Sequence, residues 1–454
     1  MLYLMNKDTI LKVKTGVGMT DEAETGENIG QGTGEGAILS AASIADGVEK
    51  AFRNSEYEIS YGEEELKPLL FQDDIGRICD SVEAAQHGND RVAHVMESKL
   101  LDFNIDKSCF LVVGNDKSKE NIINQLEVSP LTLSGFPMKE MTQEKYLGDY
   151  LHCNGNPDSV AATVKVRSGL AVSAVNEIKS VLEDCRVNVA GGLCAGIDIW
   201  ELSVLPFLLN NCSVWADIPK GVYEQLENIQ KMFYRNLFAT PISTPAPALL
   251  WETGGLTMQN RIKIQKLSFY HHLVNLEASS VASRIAIVAE RAGYPGLIQE
   301  YQTLCAELKL PNPKQVSKLS WKRLVKKAVT EVNRVNLLEI IQSKYEKLNF
   351  DELKEEKYEL KEYMKTMNLY DARMKFSIRS KMVKKVAFNY SSDPKYSAQL
   401  WHCTHCDRMD SQTHILSCDS YQYLRNGKDL SSDKDLVTYF REVISLREKI
   451  ENIV

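Results

Sequence analysis

The feature that most constrains this fold is a group of potential metal ligands near the C-terminus, in the segment WHCTHCDRMDSQTHILSC. Cys403, Cys406, His414 and Cys418 follow the spacing C-x2-C-x7-H-x3-C. Zn2+ takes four tetrahedral sulfur or nitrogen ligands, and a C-x2-C turn supplies two thiolates from one loop. His414 and Cys418 are separated by about one helical turn, so both can face one ion. We therefore predict a structural zinc site whose four positions are all filled by protein.

The alternative is a set of unconnected thiols beside a surface histidine, and His402 and His405 are further candidate ligands. The clustering of three cysteines with a histidine favours zinc. The other cysteines are scattered, which suits a reducing compartment rather than a disulfide framework. They are Cys79, Cys109, Cys153, Cys185, Cys194, Cys212 and Cys305.

The N-terminal residues lack the charged, apolar and small-residue order of a signal peptide. No segment approaches the roughly 20 apolar residues that a membrane-spanning helix requires. We therefore expect an intracellular protein, cytoplasmic or nuclear, that is neither secreted nor embedded in a membrane. Helical periodicity already surrounds Met1, so we also expect the chain to begin inside a domain.

Charge is distributed unevenly along the chain. Residues 1–150 carry 14 Lys and Arg against 27 Asp and Glu, whereas the other 304 residues carry 40 against 34. Clustered carboxylates attract metal ions, and clustered cations attract phosphate. The acidic front and the basic back of the chain therefore predict different partners.

The periodicity of apolar residues changes near residue 155. Before it, a Gly-rich loop (26–36), helices at 37–52 and 82–101, a strand that ends at Gly114 and several hairpins predict an α+β domain. After it, the pattern is helical, and prolines separate the helices. The predicted helices are 158–186, 193–211, 220–238, 257–276 and 280–309.

Two later segments are strongly basic, one from Asn312 to Arg334 and one with the sequence YDARMKFSIRSKMVKKVA. Such faces are often only solvated surface. They flank an acidic segment that extends from Glu352 to Glu362, so internal ion pairing is a second interpretation. Contact with phosphate groups is a third.

Two adjacent aspartates, Asp73 and Asp74, stand between the apolar runs LLF and IGRIC. Aspartate favours turns, so the pattern predicts a tight hairpin with both carboxylates near its tip. The two charges repel each other unless they are solvated or a cation lies between them.

The order of these motifs resembles the palm of a reverse transcriptase, specifically that of LINE-type (non-LTR) retrotransposons. The shared order is a Gly-rich loop and helix, an Asp-Asp hairpin, a helix, a lysine before a strand and a Gly-bearing hairpin. The resemblance covers nearly the whole chain and implies an α+β fold: a partial palm with an antiparallel sheet, an all-α thumb and a small zinc knuckle. The implied domains are a truncated palm (1–155), a helical thumb (156–310), a basic helical connector (311–395), a CCHC zinc knuckle (396–425) and a C-terminal helix (426–454).

The resemblance also implies roles for individual residues. FQDD is similar to the catalytic hairpin, with Asp73 as a metal-binding aspartate and Asp74 as its companion, and Lys107 is similar to a lysine near the nucleotide phosphates. The four zinc ligands match the knuckle of these elements. The residues implied to contact substrate or template are Gly30, Gln31 and Gly32 of the Gly-rich loop, Phe71 and Gln72 of the Asp hairpin, and Leu147 and Gly148 of the segment YLGDYLH, which is similar to the hairpin that grips the primer end.

The family polymerises DNA on an RNA template. Two Mg2+ ions about 4 Å apart hold the attacking 3′ hydroxyl and the leaving phosphate oxygens. The implied cofactors are therefore Mg2+ and structural Zn2+, and the implied partners are an RNA template, a DNA primer or target, and dNTPs. The family places a further essential aspartate upstream of the Gly-rich loop, and this chain starts after that point.

We therefore expect an RNA-directed DNA polymerase by resemblance, but no activity from these 454 residues alone. The alternative is a catalytically inactive remnant that acts only as a nucleic-acid-binding zinc protein. An upstream reading frame that encodes the missing aspartate would favour the first hypothesis.

Overall fold

A computed structural model describes the chain over the following residues: 9–11, 14–15, 18–19, 23–25, 34–52, 59–62, 64–184, 190–242, 244–293, 295–344, 357–383, 402–403, 405–406 and 408–451. The chain divides into two compact units. The first comprises Met1–Glu144, Leu151–Gly155 and Ala278–Ala292, and the second comprises Lys145–Tyr150, Asn156–Glu277 and Gly293–Val454.

The first unit combines helices with short strands, as the α+β prediction requires. Its helices are Gly34–Phe52, Val82–Ser98, Asp116–Val128 and Val281–Ala292, with a 3-10 turn at Ile105–Lys107. Each sheet of the described chain has two strands. The antiparallel pairs of this unit are Thr9–Leu11 with Ala23–Thr25, Lys14–Thr15 with Gly18–Met19, Ile59–Tyr61 with Glu64–Leu66, Leu69–Phe71 with Asp74–Gly76, and Thr132–Leu133 with Phe136–Pro137. Cys109–Phe110 and Lys139–Glu140 pair in parallel. Strands Gln143–Tyr146 and Asp149–His152 form a further pair, whose tip belongs to the second unit.

The core of the first unit lies between two helices. Val48 and Phe52 of Gly34–Phe52 pack against Val92 and Met96 of Val82–Ser98. Ile75 joins the same cluster, so the hairpin that contains both aspartates is fixed to these helices by an apolar contact. A smaller cluster forms around Val112, Leu126 and Leu131.

The described part of the second unit is helical apart from the hairpin tip. Its longer elements are Asn156–Asp184, Gly192–Ile199, Lys220–Phe238, Ala246–Thr253, Met258–Val274, Leu297–Glu307, Lys318–Lys344, Leu369–Arg379 and Asp433–Glu451. Shorter helical turns lie at Leu205–Leu208, Cys212–Val214, Pro313–Gln315, Tyr363–Thr366, Gln412–Ser417, Asp419–Tyr421 and Gln422–Arg425. Its main core includes the stacked rings of Trp200 and Phe233, whose centroids are 4.5 Å apart.

Several sequence-based boundaries were wrong. The strand predicted to end at Gly114 consists only of Cys109–Phe110, and a helix over Asp116–Val128 follows it. The helix predicted over 280–309 is divided in two at a break that contains Pro295, since proline cannot donate the backbone bond that a helix interior requires. The helix predicted over 193–211 continues from Ile199 into a π-helical segment, Trp200–Val204.

A buried ion pair joins distant parts of the second unit. The side chain of Glu252 is 5% exposed, and Arg379 donates hydrogen bonds of 2.9 Å from Nε to both of its carboxylate oxygens. The Tyr363 hydroxyl donates a further bond of 2.8 Å to Glu252. The segment that contains Arg379 and Tyr363 is thereby fixed to the helix Ala246–Thr253.

The second basic segment is therefore partly internal. Arg373 Nε donates to the Leu237 carbonyl at 2.7 Å, and Lys375 Nζ lies 2.5 Å from Asp433. Arg373 therefore binds a carbonyl near the end of the helix Lys220–Phe238, whereas Lys375 and Arg379 form ion pairs. The predicted acidic partner segment is described only from residue 357 onwards. In the described chain, Arg379 pairs with Glu252 and Lys375 pairs with Asp433.

None of the described helices combines the length and the hydrophobicity that a membrane-spanning segment requires.

Candidate functional site

The C-terminal ligand group is held by a turn and a short helix. The Cys403 amide donates a 2.7 Å bond to the Arg408 carbonyl, which closes the turn around Cys406. Ser411 caps the helix Gln412–Ser417 by accepting a bond from the His414 amide. Local hydrogen bonds therefore present three of the four predicted ligands from one short stretch of chain.

The four predicted ligands converge. The ligand atoms of Cys403, Cys406, His414 and Cys418 all lie within 4.8 Å of one another. The Cys406 and Cys418 sulfurs are 3.7 Å apart, and Cys406 Sγ lies 3.1 Å from His414 Nε2. Tetrahedral zinc with Zn–S bonds of about 2.3 Å requires sulfurs about 3.8 Å apart. The donor set and its spacing therefore fit one Zn2+, which would crosslink the turn to the short helix.

The metal centre (Cys403, Cys406, His414 and Cys418) is part of a larger core. Cys403 and Cys418 are 3% and 1% exposed. They pack with Ile415 and Tyr421, and the same cluster contains apolar residues of the C-terminal helix, Asp433–Glu451. The Tyr439 hydroxyl of that helix donates a 2.5 Å bond to the Ile415 carbonyl.

The two spare histidines lie outside the ligand group. His402 forms an isolated antiparallel bridge with Met409, and the His405 ring packs edge-on against Tyr421 at 5.0 Å. Burial, and then the charge of Arg447, lower the pKa of His405, which favours the neutral form of its ring.

An arginine and an aspartate that the sequence analysis did not single out border the metal centre. Arg447 and Asp410, whose side chains are 3% and 4% exposed, form a bidentate ion pair with two bonds of 2.8 Å. Burial alone would lower the pKa of Arg447, but the bonds to Asp410 raise it above its ordinary value. The sequence did contain one indication that Arg447 is buried. Helical spacing places it on the same stripe as Phe440 and Val443, which are buried.

The predicted Asp hairpin is present. Leu69–Phe71 pairs with Asp74–Gly76, and Phe71 lies opposite Asp74. Gln72 and Asp73 form the two-residue turn, and Gln72 adopts a positive φ of 56°. Both aspartates are exposed, so their carboxylates are available to solvent and to cations.

Arg77 fixes the end of this hairpin. Its guanidinium donates to the carbonyls of Ala84 and Ala85 and lies 4.8 Å from the centre of the Phe52 ring. The helix Val82–Ser98 can accept it because Gly88 leaves room beside these carbonyls. The position of the Asp hairpin therefore depends on an arginine immediately after its second strand.

Lys107, the lysine predicted to lie near the nucleotide phosphates, shares no hydrogen bond or ion pair with the aspartates in the described part of the chain. Lys107 is exposed in the turn Ile105–Lys107, and neither it nor Asp73 or Asp74 has a side-chain hydrogen bond or ion pair there. Among the described residues, these aspartates belong to no group of three potential metal ligands. Gly30, Gln31 and Gly32 lie outside the described residues.

The second predicted hairpin has its turn at Leu147 and Gly148, which both have positive φ, as a type I′ turn requires. Arg167, 5% exposed, donates from Nη2 to the Gly148 carbonyl at 2.7 Å and to Asp149 Oδ1 at 2.8 Å. Its Nη1 donates to the Asn210 carbonyl at 2.6 Å. An arginine that the sequence analysis missed thus joins the tip of the hairpin to other residues of the second unit, to which the tip itself belongs.

The first basic segment forms an exposed face, unlike the second. Trp321 and Val325 of the helix Lys318–Lys344 are fully buried against Leu267. Arg334 pairs with Glu331 at 2.7 Å, whereas the other six cations of the segment are exposed and form no ion pair with any described residue. This basic face consists of Lys314, Lys318, Lys322, Arg323, Lys326 and Lys327.

Comparison with models of known protein families gave no match, and comparison with curated proteins gave none either.

Proposed function

We propose that this chain functions in an RNA-directed DNA polymerase of the LINE-type retrotransposon class, which transfers nucleotides by two-metal chemistry. The observation that carries the proposal is the Asp hairpin, in which Asp73 belongs to the turn and Asp74 follows it. A short exposed turn of this kind offers hard oxygen ligands, which Mg2+ prefers. The motif order from residue 26 to residue 152 supports the same proposal.

In this proposal, Asp73 and Asp74 would hold Mg2+, and Lys107 would contact the nucleotide phosphates. Mg2+ would lower the repulsion between the carboxylates and activate the 3′ hydroxyl of the primer. Phe71 and Gln72, the Gly-rich loop and the turn at Leu147 and Gly148 would orient template and primer, as in the family that the sequence resembles.

Two adjacent carboxylates on one hairpin hold a metal from one side only. Among the described residues no third ligand accompanies them. Misplacement of reacting groups by about 1 Å already lowers a rate roughly 100-fold. We therefore expect no primer extension by the chain alone.

The test is a chimera in which a palm segment of a LINE-type reverse transcriptase, with its own aspartate, precedes Met1. The chimera should extend a DNA primer on an RNA template with Mg2+, and Asp73→Ala should abolish extension. Glu65→Ala, at an exposed position of the neighbouring hairpin, is the matched control and should retain activity. If a folded, zinc-containing chimera extends no primer, or if extension survives Asp73→Ala, the polymerase proposal is wrong.

The second candidate function is binding of nucleic acid without catalysis. The basic face supports it, because its six exposed cations have no acidic partner in the described chain. Exposed cations without acidic partners attract a phosphate backbone and bind it independently of sequence. Salt-dependent binding by a chimera that extends no primer would favour this function.

A further inference from the structure

The ion pair beside the metal centre has a fixed orientation. Arg447 Nη1 and Nη2 each donate to one oxygen of Asp410, and Nε donates to the Tyr421 hydroxyl at 3.0 Å. The guanidinium also lies over the Tyr421 ring, 5.6 Å from its centre. Three directed contacts therefore determine where this cation lies, although its helix is distant in sequence from the C-x2-C turn.

The guanidinium of Arg447 and the hydroxyl of Tyr421 also lie near a predicted zinc ligand, Cys403. Arg447 Nη2 and the Tyr421 hydroxyl each lie 4.0 Å from Cys403 Sγ. Because Tyr421 accepts a bond from Arg447, its own hydrogen is free to point at the sulfur. The Cys403 sulfur thus faces two donors, one of them charged.

The charges are complementary. Three thiolates and a neutral imidazole around Zn2+ carry a net charge of −1, which is costly to bury without a nearby cation. Arg447 places its positive charge next to the Cys403 sulfur, and Asp410 fixes the guanidinium in that position from its other side. Residues that contact the ligands of a metal commonly fix the orientation of those ligands and change the affinity for the metal.

We propose that Arg447 and Asp410 are positioning residues of the metal centre, which hold Cys403 and couple zinc binding to docking of the C-terminal helix. The proposal rests on the zinc site and is independent of nucleotidyl transfer. Coupling between two equilibria is reciprocal. The docked helix should strengthen zinc binding by the same factor by which zinc strengthens docking.

The first experiment replaces the pair while leaving no unpaired charge. In Arg447→Met with Asp410→Leu, apolar side chains of similar size should preserve the packing, since buried ion pairs often tolerate such exchange. We expect the Kd for zinc, measured by competition with a chelator, to rise about 10- to 100-fold. If the variant folds and its Kd is unchanged, Arg447 has only a packing role and the proposal is wrong.

A second variant covers the case in which the apolar pair does not fold. Arg447→Gln with Asp410→Asn retains polar groups but removes both charges, and should also weaken zinc binding. Arg447→Lys, which restores the cation without the bidentate geometry, should recover part of the affinity. A Kd for zinc that is equal in all three variants and in the wild type would contradict the proposal.

A matched control uses another bidentate pair of the same unit. Arg261 binds Glu201 through bonds of 2.8 and 2.6 Å. Arg261→Gln with Glu201→Gln should lower the melting temperature without changing the Kd for zinc. Equal weakening of zinc binding in this control would show a general loss of stability and would contradict a specific role for Arg447.

A spectroscopic test reports on the ligand itself. With Co2+ in place of zinc, absorption from the thiolate ligands should shift in Arg447→Lys and remain unchanged in the Arg261 control. In the wild type, chelation of zinc should accelerate amide exchange over Asp433–Glu451. If the spectra are identical and helix exchange is insensitive to zinc, neither the positioning of Cys403 nor the coupling exists.

Discussion

The guanidinium of Arg77 occupies the space that a side chain at Gly88 would need, so a methyl group there would overlap it. Alanine normally stabilises a helix by about 1 kcal/mol relative to glycine. Gly88→Ala should nevertheless destabilise this chain, by roughly 1–2 kcal/mol, because Arg77 would lose its bonds to the helix.

The sign should reverse when Arg77 is absent. In an Arg77→Ala background, Gly88→Ala should raise the free energy of unfolding by up to about 1 kcal/mol, since the space is then empty. Urea denaturation of the four proteins in this cycle measures both effects. Destabilisation of equal size in both backgrounds would show that Arg77 does not restrict position 88.

The second prediction concerns zinc removal. Cys406→Ser should lower the zinc content from about one ion per chain to near zero, because one thiolate of the tetrahedral set is lost. Cys305→Ser, at a half-buried thiol outside the ligand group, is the control and should retain zinc. Elemental analysis of both purified proteins, compared with the wild type, checks the result. Equal zinc contents in the two variants would exclude the proposed ligand set.

The third prediction concerns the basic face. Replacing Lys318, Lys322 and Lys326 together by glutamine should weaken binding to single-stranded RNA. It should also reduce the slope of log K against log salt by about 2, since each phosphate contact contributes about 0.7. Fluorescence anisotropy titrations at several salt concentrations measure both quantities.

The matched control removes the same charge elsewhere in that unit. Lys165, Lys179 and Lys434 are exposed on other helices. Their replacement by glutamine should leave the salt slope nearly unchanged. If both triple variants reduce the slope equally, only net charge matters and the basic face is not a binding surface.

The fourth prediction concerns pH. Burial raises the pKa of Cys212 from 9.0 to about 12. A thiol that holds its proton more tightly in the folded state stabilises the protein fully below pH 9, and this contribution falls as the pH rises towards 12. Between these pH values, this one group lowers the free energy of unfolding by up to about 1.4 kcal/mol per pH unit.

Cys212→Ala should therefore weaken the loss of stability between pH 8.5 and pH 10.5, as measured by chemical denaturation. Val204→Ala also removes buried volume but no titrating group, so it should lower stability by the same amount at both pH values. An identical pH dependence in wild type and Cys212→Ala would show that the thiol ionises equally readily in both states.

Features encoded by neighbouring residues could be predicted from the sequence. Residues of a single turn or helix make up the Asp hairpin and most of the metal centre, so their spacing alone predicts them. The ion pairs between Arg379 and Glu252 and between Arg447 and Asp410 join residues far apart in the chain. Charge counting could not distinguish the half-buried Arg379 and the buried Arg447 from the exposed cations of the basic face.

The helix Ala246–Thr253 was missed for a different reason. Its prolines were interpreted as a break between helices. Pro245 caps the helix and Pro247 lies in its first turn, where no intrahelical donor is required. Proline therefore marks the beginning of this helix rather than its absence.

The contacts of Glu252 have a consequence for chain connectivity. Glu252 binds Tyr363 and Arg379, and Asn333 donates a 2.8 Å bond to the Tyr358 hydroxyl. These non-covalent contacts hold together residues that precede and residues that follow the interval 345–356. A protease cut within that interval would leave two fragments that remain associated, and separately expressed halves divided there should reassemble into the helical unit.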